Sequence, residues 1–463
     1  PITLGTQDTS TENASLITVL PDLNVSNVDF TGSTLFLSAQ VTNESTNALG
    51  QLVIPISSVN LDDVSFAAFD EERYQVQYSD GTIGIIEDNQ VTVTPSQLTI
   101  TGLNASQTGM KVNVTVSKAN IKNKVKEYKR CQQVAVTRST NKRSGSDPAT
   151  SVNDGLNHSE LYGLRVQDRD ISLHEPDAID VVAIYESLDK NAPILDKLTF
   201  TSTDDVFTSA IIGENIFGTT SKAIAKVVSI DSGNSQINVV YLTNDRFATL
   251  EPLTFEESNT TAVLQAATPG KYRDITSSYL LDKGQRDQYY DYSRIVRNRG
   301  AYIPHRQLLI IYNRYDIPSG DTGDVFTVNS YDEERYTKDI PQIGPRRIEA
   351  HDVLDFRPRV STYNPASASV SPFFYTARDF TGKPDRILTP NESMTFDYDF
   401  YLPRIDKLIL LPDGNFDLLQ GKSSRQPVPP AYKGMGMEIG TILLPAYLRD
   451  TEEARVYLKD NRR

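Results

Sequence analysis

One cysteine, no tryptophan, four histidines and four methionines in 463 residues close off several kinds of chemistry at once. A single thiol, Cys131, has no partner for an intramolecular disulfide and cannot build a cysteine-based zinc or iron–sulfur site. As a nucleophile it would need a positioned base, with Lys129 and Arg130 lowering its pKa. The simpler reading, a half-buried strand residue, is preferred. His158, His174, His305 and His351 never fall three or four positions apart, so they form no helical metal pair. No uninterrupted apolar run approaches the ~20 residues of a membrane-spanning helix, and mean hydropathy is −0.38. Membrane insertion is therefore not expected. Positive charge is also short: 46 Lys and Arg stand against 60 Asp and Glu, a formal net charge of −14. Nucleic acid needs a concentrated basic surface. The one cationic stretch, Lys122, Lys124, Lys126, Lys129, Arg130, Arg138, Lys142 and Arg143, reads instead as a solvated face or a partner for another subunit's carboxylates. No P-loop, Gly-x-Ser-x-Gly elbow or dinucleotide fingerprint occurs, and no cofactor or metal is expected.

What is present is alternation. Gln90 to Thr94, Leu98 to Leu103 and Val112 to Val116 place Val, Ile and Leu at every second position between Gly, Pro and Asn breaks. Ala225 to Ile230 and Gln236 to Tyr241 flank the turn Asp231-Ser232-Gly233-Asn234 and read as a hairpin. Asp413-Gly414 marks another between Leu408–Leu411 and Phe416–Leu419. The best short helical candidate is Pro176 to Leu188, although it contains a β-branched run. The fold class expected is all-β, with several small antiparallel sandwich-like or barrel-like modules in series and little helix. Composition divides the chain into a first module at 1–60 and a second at 61–137 that ends in the basic stretch. A polar linker or long loop follows at 138–155, then a hairpin-rich module at 156–268 and an aromatic, proline-rich domain at 269–463. The chain starts at Pro1 without a signal segment and ends in a charged stretch without a capping signal. It is expected to be a processed product or a window of a longer polypeptide.

Carboxylates supply the candidates for chemistry. Asp70, Glu71 and Glu72, and again Asp332, Glu333 and Glu334, precede Arg-Tyr. Three consecutive strand residues cannot converge, so each hexamer reads as a salt-bridged turn with its Tyr anchored in the core. Asp397 and Asp399 share a strand face opposite Phe396, Tyr398 and Phe400, the spacing of paired carboxylates in a glycosidase or of a solvated strand. In Tyr290-Asp291-Tyr292-Ser293-Arg294-Ile295, alternation sends Tyr290, Tyr292 and Arg294 to one face and Asp291, Ser293 and Ile295 to the other. An arginine bracketed by carboxylates and Tyr hydroxyls fixes strand register or docks a neighbour, and sequence does not choose between intrasubunit and intersubunit use.

Several phrases resemble long virion structural proteins of contractile-tailed, T4-like phages of cyanobacteria and other marine hosts. They are Arg165 to Leu173 (with Asp168) together with Ala183 to Ser187, Tyr290 to Ile295, Tyr401 to Leu408 (with Arg404 and Asp406), and Leu444 to Leu448. The two DEERY segments and the turn at Asp80-Gly81-Thr82 resemble that family too, whereas the first 60 residues do not. The resemblance implies a tail, baseplate or fibre-assembly component, located in the virion, with no turnover of its own. Its expected partners are other tail, baseplate or fibre proteins and further copies of itself, without nucleic acid. Candidate interface or structural residues are Tyr290, Asp291, Tyr292, Arg294, Arg404, Asp406, Arg165 and Asp168. The alternatives are a host-surface glycan-binding module of a tail fibre and a tail-associated polysaccharide-degrading enzyme using Asp397 and Asp399 or the Glu71/Glu72 region.

Overall fold

In the computed structural model, which describes residues 2–4, 16–139, 160–336, 338–344, 347–367, 369–380, 387–448 and 450–459, antiparallel strands dominate and helix is confined to short turns. The expected alternation is realised where it is clearest. Val91–Thr94 pairs with Gln97–Ile100, Met110–Ala119 lies along Thr34–Glu44, and Ile224–Asp231 pairs with Gln236–Tyr241. The helical expectation at Pro176 to Leu188 is overturned: Asp170–Pro176 and Ala178–Ser187 are strands. Ile179, Val181, Val182 and Ile184 are β-branched, and Asp177 breaks any helix by adopting a φ of 64°.

The chain divides into two compact units, and neither is continuous in sequence. The first comprises Pro1–Val125, Ser319–Arg357 and Arg386–Arg463; the second comprises Lys126–Pro318 and Pro358–Asp385. This grouping differs from the serial one read from composition. Thr34–Glu44 bonds to Met110–Ala119 and Ile387–Leu388, both beyond residue 60, and Ile17–Val19 pairs with Val353–Asp355. Composition registers local runs, whereas antiparallel pairing joins segments hundreds of residues apart. The linker expected at 138–155 lies outside the described residues apart from Arg138 and Ser139.

In the first unit, Leu37, Ile54, Val76, Leu98, Val112 and Val116 are inaccessible to solvent and form the floor of its sheets. The unit also holds a four-stranded sheet in the order Phe416–Leu419, Arg404–Leu410, Met437–Leu444, Arg455–Leu458. In the second unit, the sheet of Glu127–Val136, Leu308–Asp316, Ala178–Ser187 and Tyr272–Asp274 is covered on both faces. Ile184, Leu308, Ile310 and Tyr312 pack with Ile171 and Ile295 of a three-stranded sheet on one side. Ala183, Tyr185 and Ile311 pack with Val228 and Val240 of a seven-stranded sheet on the other. This explains why Leu308 to Ile311 is a continuous apolar run: a strand buried on both faces has no polar side to alternate with.

Candidate functional site

Tyr292–Arg297 is the middle strand of the three-stranded sheet, between Asp170–Pro176 and Tyr279–Asp282. Its alternation follows the sequence reading. Tyr292 joins Leu164, Val360 and Tyr363 on one side, while Ile295 enters the core with Ile171 on the other. Asp291, just before the strand, is buried and accepts Arg378 through Nε at 2.7 Å and Nη2 at 3.0 Å. Arg286 reaches Asp291 at 3.3 Å and Asp282 at 2.8 Å, and Asp282 in turn accepts Arg294 Nε at 2.9 Å. The result is an alternating ladder of three arginines and two aspartates. Burial works against the Asp282 carboxylate, but the Arg286 hydrogen bond and the neighbouring positive charge hold it below the usual carboxylate range. Burial pushes the Tyr292 phenol up to about 12.

The remaining expected residues are also joined within their own units. Arg165 and Asp168 are both buried and bonded through Nε at 2.9 Å and Nη2 at 2.8 Å. Asp168 also accepts the backbone N–H groups of Gly163 at 2.7 Å and Arg165 at 3.1 Å. Arg404 meets Asp406 at 2.9 Å, and Asp406, fully buried, accepts Gly421 N–H at 2.8 Å. Tyr290 is buried, and its hydroxyl accepts Lys126 Nζ at 3.2 Å. Lys126 itself pairs with Asp177 at 2.7 Å and faces the Tyr290 ring at 4.6 Å. Within the chain, Tyr290, Asp291, Tyr292, Arg294, Arg165, Asp168, Arg404 and Asp406 each bond or pack to partners of their own unit and brace its strands. The basic stretch is largely consumed in the same way, with Lys129 on Glu127, Arg130 on Glu257 and Lys124 over Phe326. Lys142 and Arg143 lie outside the described residues.

The other carboxylates separate into turns, loop pins and a solvated face. Asp70 and Asp332 each accept the N–H two residues on, at 3.0 and 3.3 Å. Arg73 pairs with Glu392 at 2.5 Å and Arg335 with Asp339 at 2.8 Å. Tyr74 and Tyr336 are buried and donate their hydroxyls to the carbonyls of Ala67 and Val328. The twin hexamers thus fold alike, as salt-bridged turns with an anchored Tyr. Sequence reading missed Glu214, which is fully buried and accepts N–H groups of Ile211, Glu257 and Ser258 at 2.6, 3.1 and 3.0 Å. Nothing in its sequence neighbourhood signals that role, because the bonds span a fold-dependent loop. Asp397 and Asp399 are exposed on one face of Met394–Phe400, opposite Asp29 and Asn27. Cys131 is buried at a bulge, and burial pushes its thiol up to about 11. Among the described residues no three His, Cys, Asp or Glu side chains are grouped to hold a metal ion.

A different feature is uncovered. In the four-stranded sheet of the first unit, cross-strand partners share a face, and register places Phe416, Leu410 and Met437 in one row. Leu418, Leu408, Gly440 and Leu458 form the next, and Asp406, Ile442 and Val456 the one after, where Asp406 is covered and held by the Gly421 N–H. A Cβ on Gly440 would stand 2.4 Å from the Tyr457 carbonyl oxygen, so the close approach of these strands requires glycine there. Phe416, Leu418, Met437, Val456 and Leu458 are between 44% and 72% exposed. Large apolar side chains exposed side by side on one sheet face, rather than scattered singly, are the kind of surface that marks an interaction site. The edge strand Arg455–Leu458 is exposed at every residue, and among the described residues no strand pairs with its outer side. The sequence signal was the alternation in Phe416-Asp417-Leu418 and Arg455-Val456-Tyr457-Leu458, whose outer side only the structure identifies. Compared with known proteins, the chain matches no family model, no curated protein and no solved structure.

Proposed function

We propose that the chain is a structural component of a contractile-phage tail, at the baseplate wedge or fibre attachment, and acts by holding other tail chains without catalysis of its own. The tail assignment rests on the sequence resemblance. The assembly role is carried by one observation: the apolar sheet face of Phe416, Leu418, Met437, Val456 and Leu458, left open in the first unit. Burying such a face is worth ~25 cal/mol per Å² before the costs of association, enough to drive docking when a partner supplies a polar rim. The Arg404–Asp406 pair supports the same role, because with the Gly421 N–H on Asp406 it fixes an inner strand of the sheet that would present the surface.

Charge placed on the face is the test. Phe416→Lys and Leu458→Lys change exposed side chains, so the isolated protein keeps its strand spectrum and melting temperature. Tail particles assembled with either variant are expected to lack the chain when imaged by electron microscopy. Normal incorporation of both variants would overturn the assembly reading. Wild-type chain absent from purified tails would overturn the tail assignment.

A further inference from the structure

In the four-stranded sheet of the first unit, the edge strand Arg455–Leu458 pairs on its inner side with Met437–Leu444, Leu443 opposite Arg455, Thr441 opposite Tyr457 and Gly440 opposite Leu458. Lys459 N–H donates to the Ile439 carbonyl at 2.8 Å, which fixes the phase of the ladder. Bonded and non-bonded pairs alternate along antiparallel strands. Lys459, Tyr457 and Arg455 therefore turn their N–H and C=O groups inward, while Val456 and Leu458 turn theirs outward. Val456 is 56% and Leu458 72% exposed, and among the described residues no strand meets that outer side. A row of outward backbone groups between apolar side chains is a template for one more strand.

Charge at the two ends of the strand selects its occupant. Glu453 stands three residues before Val456 and Lys459 three after it. Antiparallel pairing with an identical strand, centred on Val456, sets Glu453 of each copy against Lys459 of the other. It also sets Arg455 beside the Tyr457 ring and Leu458 beside Ala454. The Ala454 N–H is taken by the Thr451 carbonyl at 3.2 Å, and its own carbonyl receives the Leu458 N–H of the second copy. A centre at Tyr457 would instead oppose Arg455 and Lys459, two like charges. A centre between two residues would match an outward-bonding residue with an inward-bonding one, and no ladder would form. The strand is thus complementary to itself in the register about Val456.

The geometry points to Arg455–Leu458 as the docking strand for a second copy of this chain, joined edge to edge about a two-fold axis into one continuous sheet. Such a contact is closed, since each copy uses the same strand. Directly opposite residues share a face, so Phe416, Leu418 and Met437 of both copies lie on the same side. The open apolar face is extended by this pairing and is not covered by it. The bonds come from backbone groups at the edge, so the pairing stands apart from the docking of tail chains on that face.

Sedimentation velocity of the full chain at concentrations up to ~100 μM tests the pairing. The wild type is expected to form a dimer. Val456→Pro removes an outward N–H and spares the inward bonds, a change that an edge strand accepts. It is expected to keep the strand spectrum and to weaken the dimer about tenfold. Glu453→Lys and Lys459→Glu, each alone, oppose like charges and are expected to weaken it too. The double variant Glu453→Lys/Lys459→Glu is expected to restore it, a rescue that mere misfolding would not give. A monomeric wild type, an undiminished dimer in Val456→Pro, or a double variant no stronger than the single ones overturns the pairing. Assembly beyond the dimer overturns its closed symmetry. Phe416→Lys, which charges the face alone, is expected to leave the dimer intact; its loss there would place the contact on the face and overturn the edge.

Discussion

His351 and His174 are both buried, yet their surroundings drive them in opposite directions. His351 sits with Nε2 3.2 Å from Glu349 and Nδ1 3.3 Å from Asp352, between the rings of Tyr336 and Tyr447. Burial disfavours its charge, but the two carboxylates win and hold it up to about 9. A folded pKa above the unfolded ~6.5 stabilises fully below pH 6.5, and that contribution disappears as pH rises through about 9. Between those limits the wild type should lose about 2–3 kcal/mol relative to His351→Gln, read from urea unfolding at each pH. His174 lies on Tyr363 with φ 65°, and burial, aided by Arg138, pushes it down to about 4. Its contribution is present above pH 6.5 and is lost as pH falls through about 4. His174→Asn keeps a side chain that tolerates positive φ and removes the titration. That variant should flatten the acid side of the stability profile, and an unchanged acid limb would count against the buried neutral imidazole.

At the scale of elements, the twin DEERY turns offer a paired comparison. Tyr74→Phe and Tyr336→Phe each remove one buried hydroxyl from a carbonyl, expected to cost about 1 kcal/mol. Tyr→Ala at either position, which also empties the ring's site, should cost ~3–5 kcal/mol by denaturant unfolding. Similar losses at both positions are the expected result; a negligible loss at one would show that the two turns are not equivalent. These turns were legible in sequence because the Asp cap and the anchoring Tyr act locally, although Arg73 finds its partner Glu392 only through the fold. The hairpin at Ser232–Asn234 was legible for the same reason. Leu308–Asp316 and Ala178–Ser187 were harder, since burial on both faces erases the period of two and leaves a run that also suits a helix. Of the ladder, Asp282 was not a visible candidate, whereas Asp291 and Arg294 were. Their partners were less so, because Arg378 lies 87 residues from Asp291 and only the fold brings them together.

For the whole molecule, pairing across long separations governs what can fold alone. Within residues 1–125, Val25–Asp29 pairs with Met394–Phe400 and Ile17–Val19 with Val353–Asp355. Lys118, buried in the strand Met110–Ala119, depends on Asp324 at 3.0 Å. A fragment of residues 1–125 would keep a buried cation without its partner, a loss of ~3–5 kcal/mol, and would lack those strand neighbours. It is expected to show poorly dispersed amide resonances, and a cooperatively folded fragment would contradict the division into units. Ion pairs of this kind were beyond sequence reading, which sees charge but not burial.

The interleaved order of the two units also sets a timetable on the ribosome. At roughly 5–20 residues per second, the segment that completes the earliest strands leaves the tunnel on the order of tens of seconds after them. Ile17–Val19 and Val25–Asp29 thus wait for their partners through the synthesis of nearly the whole second unit.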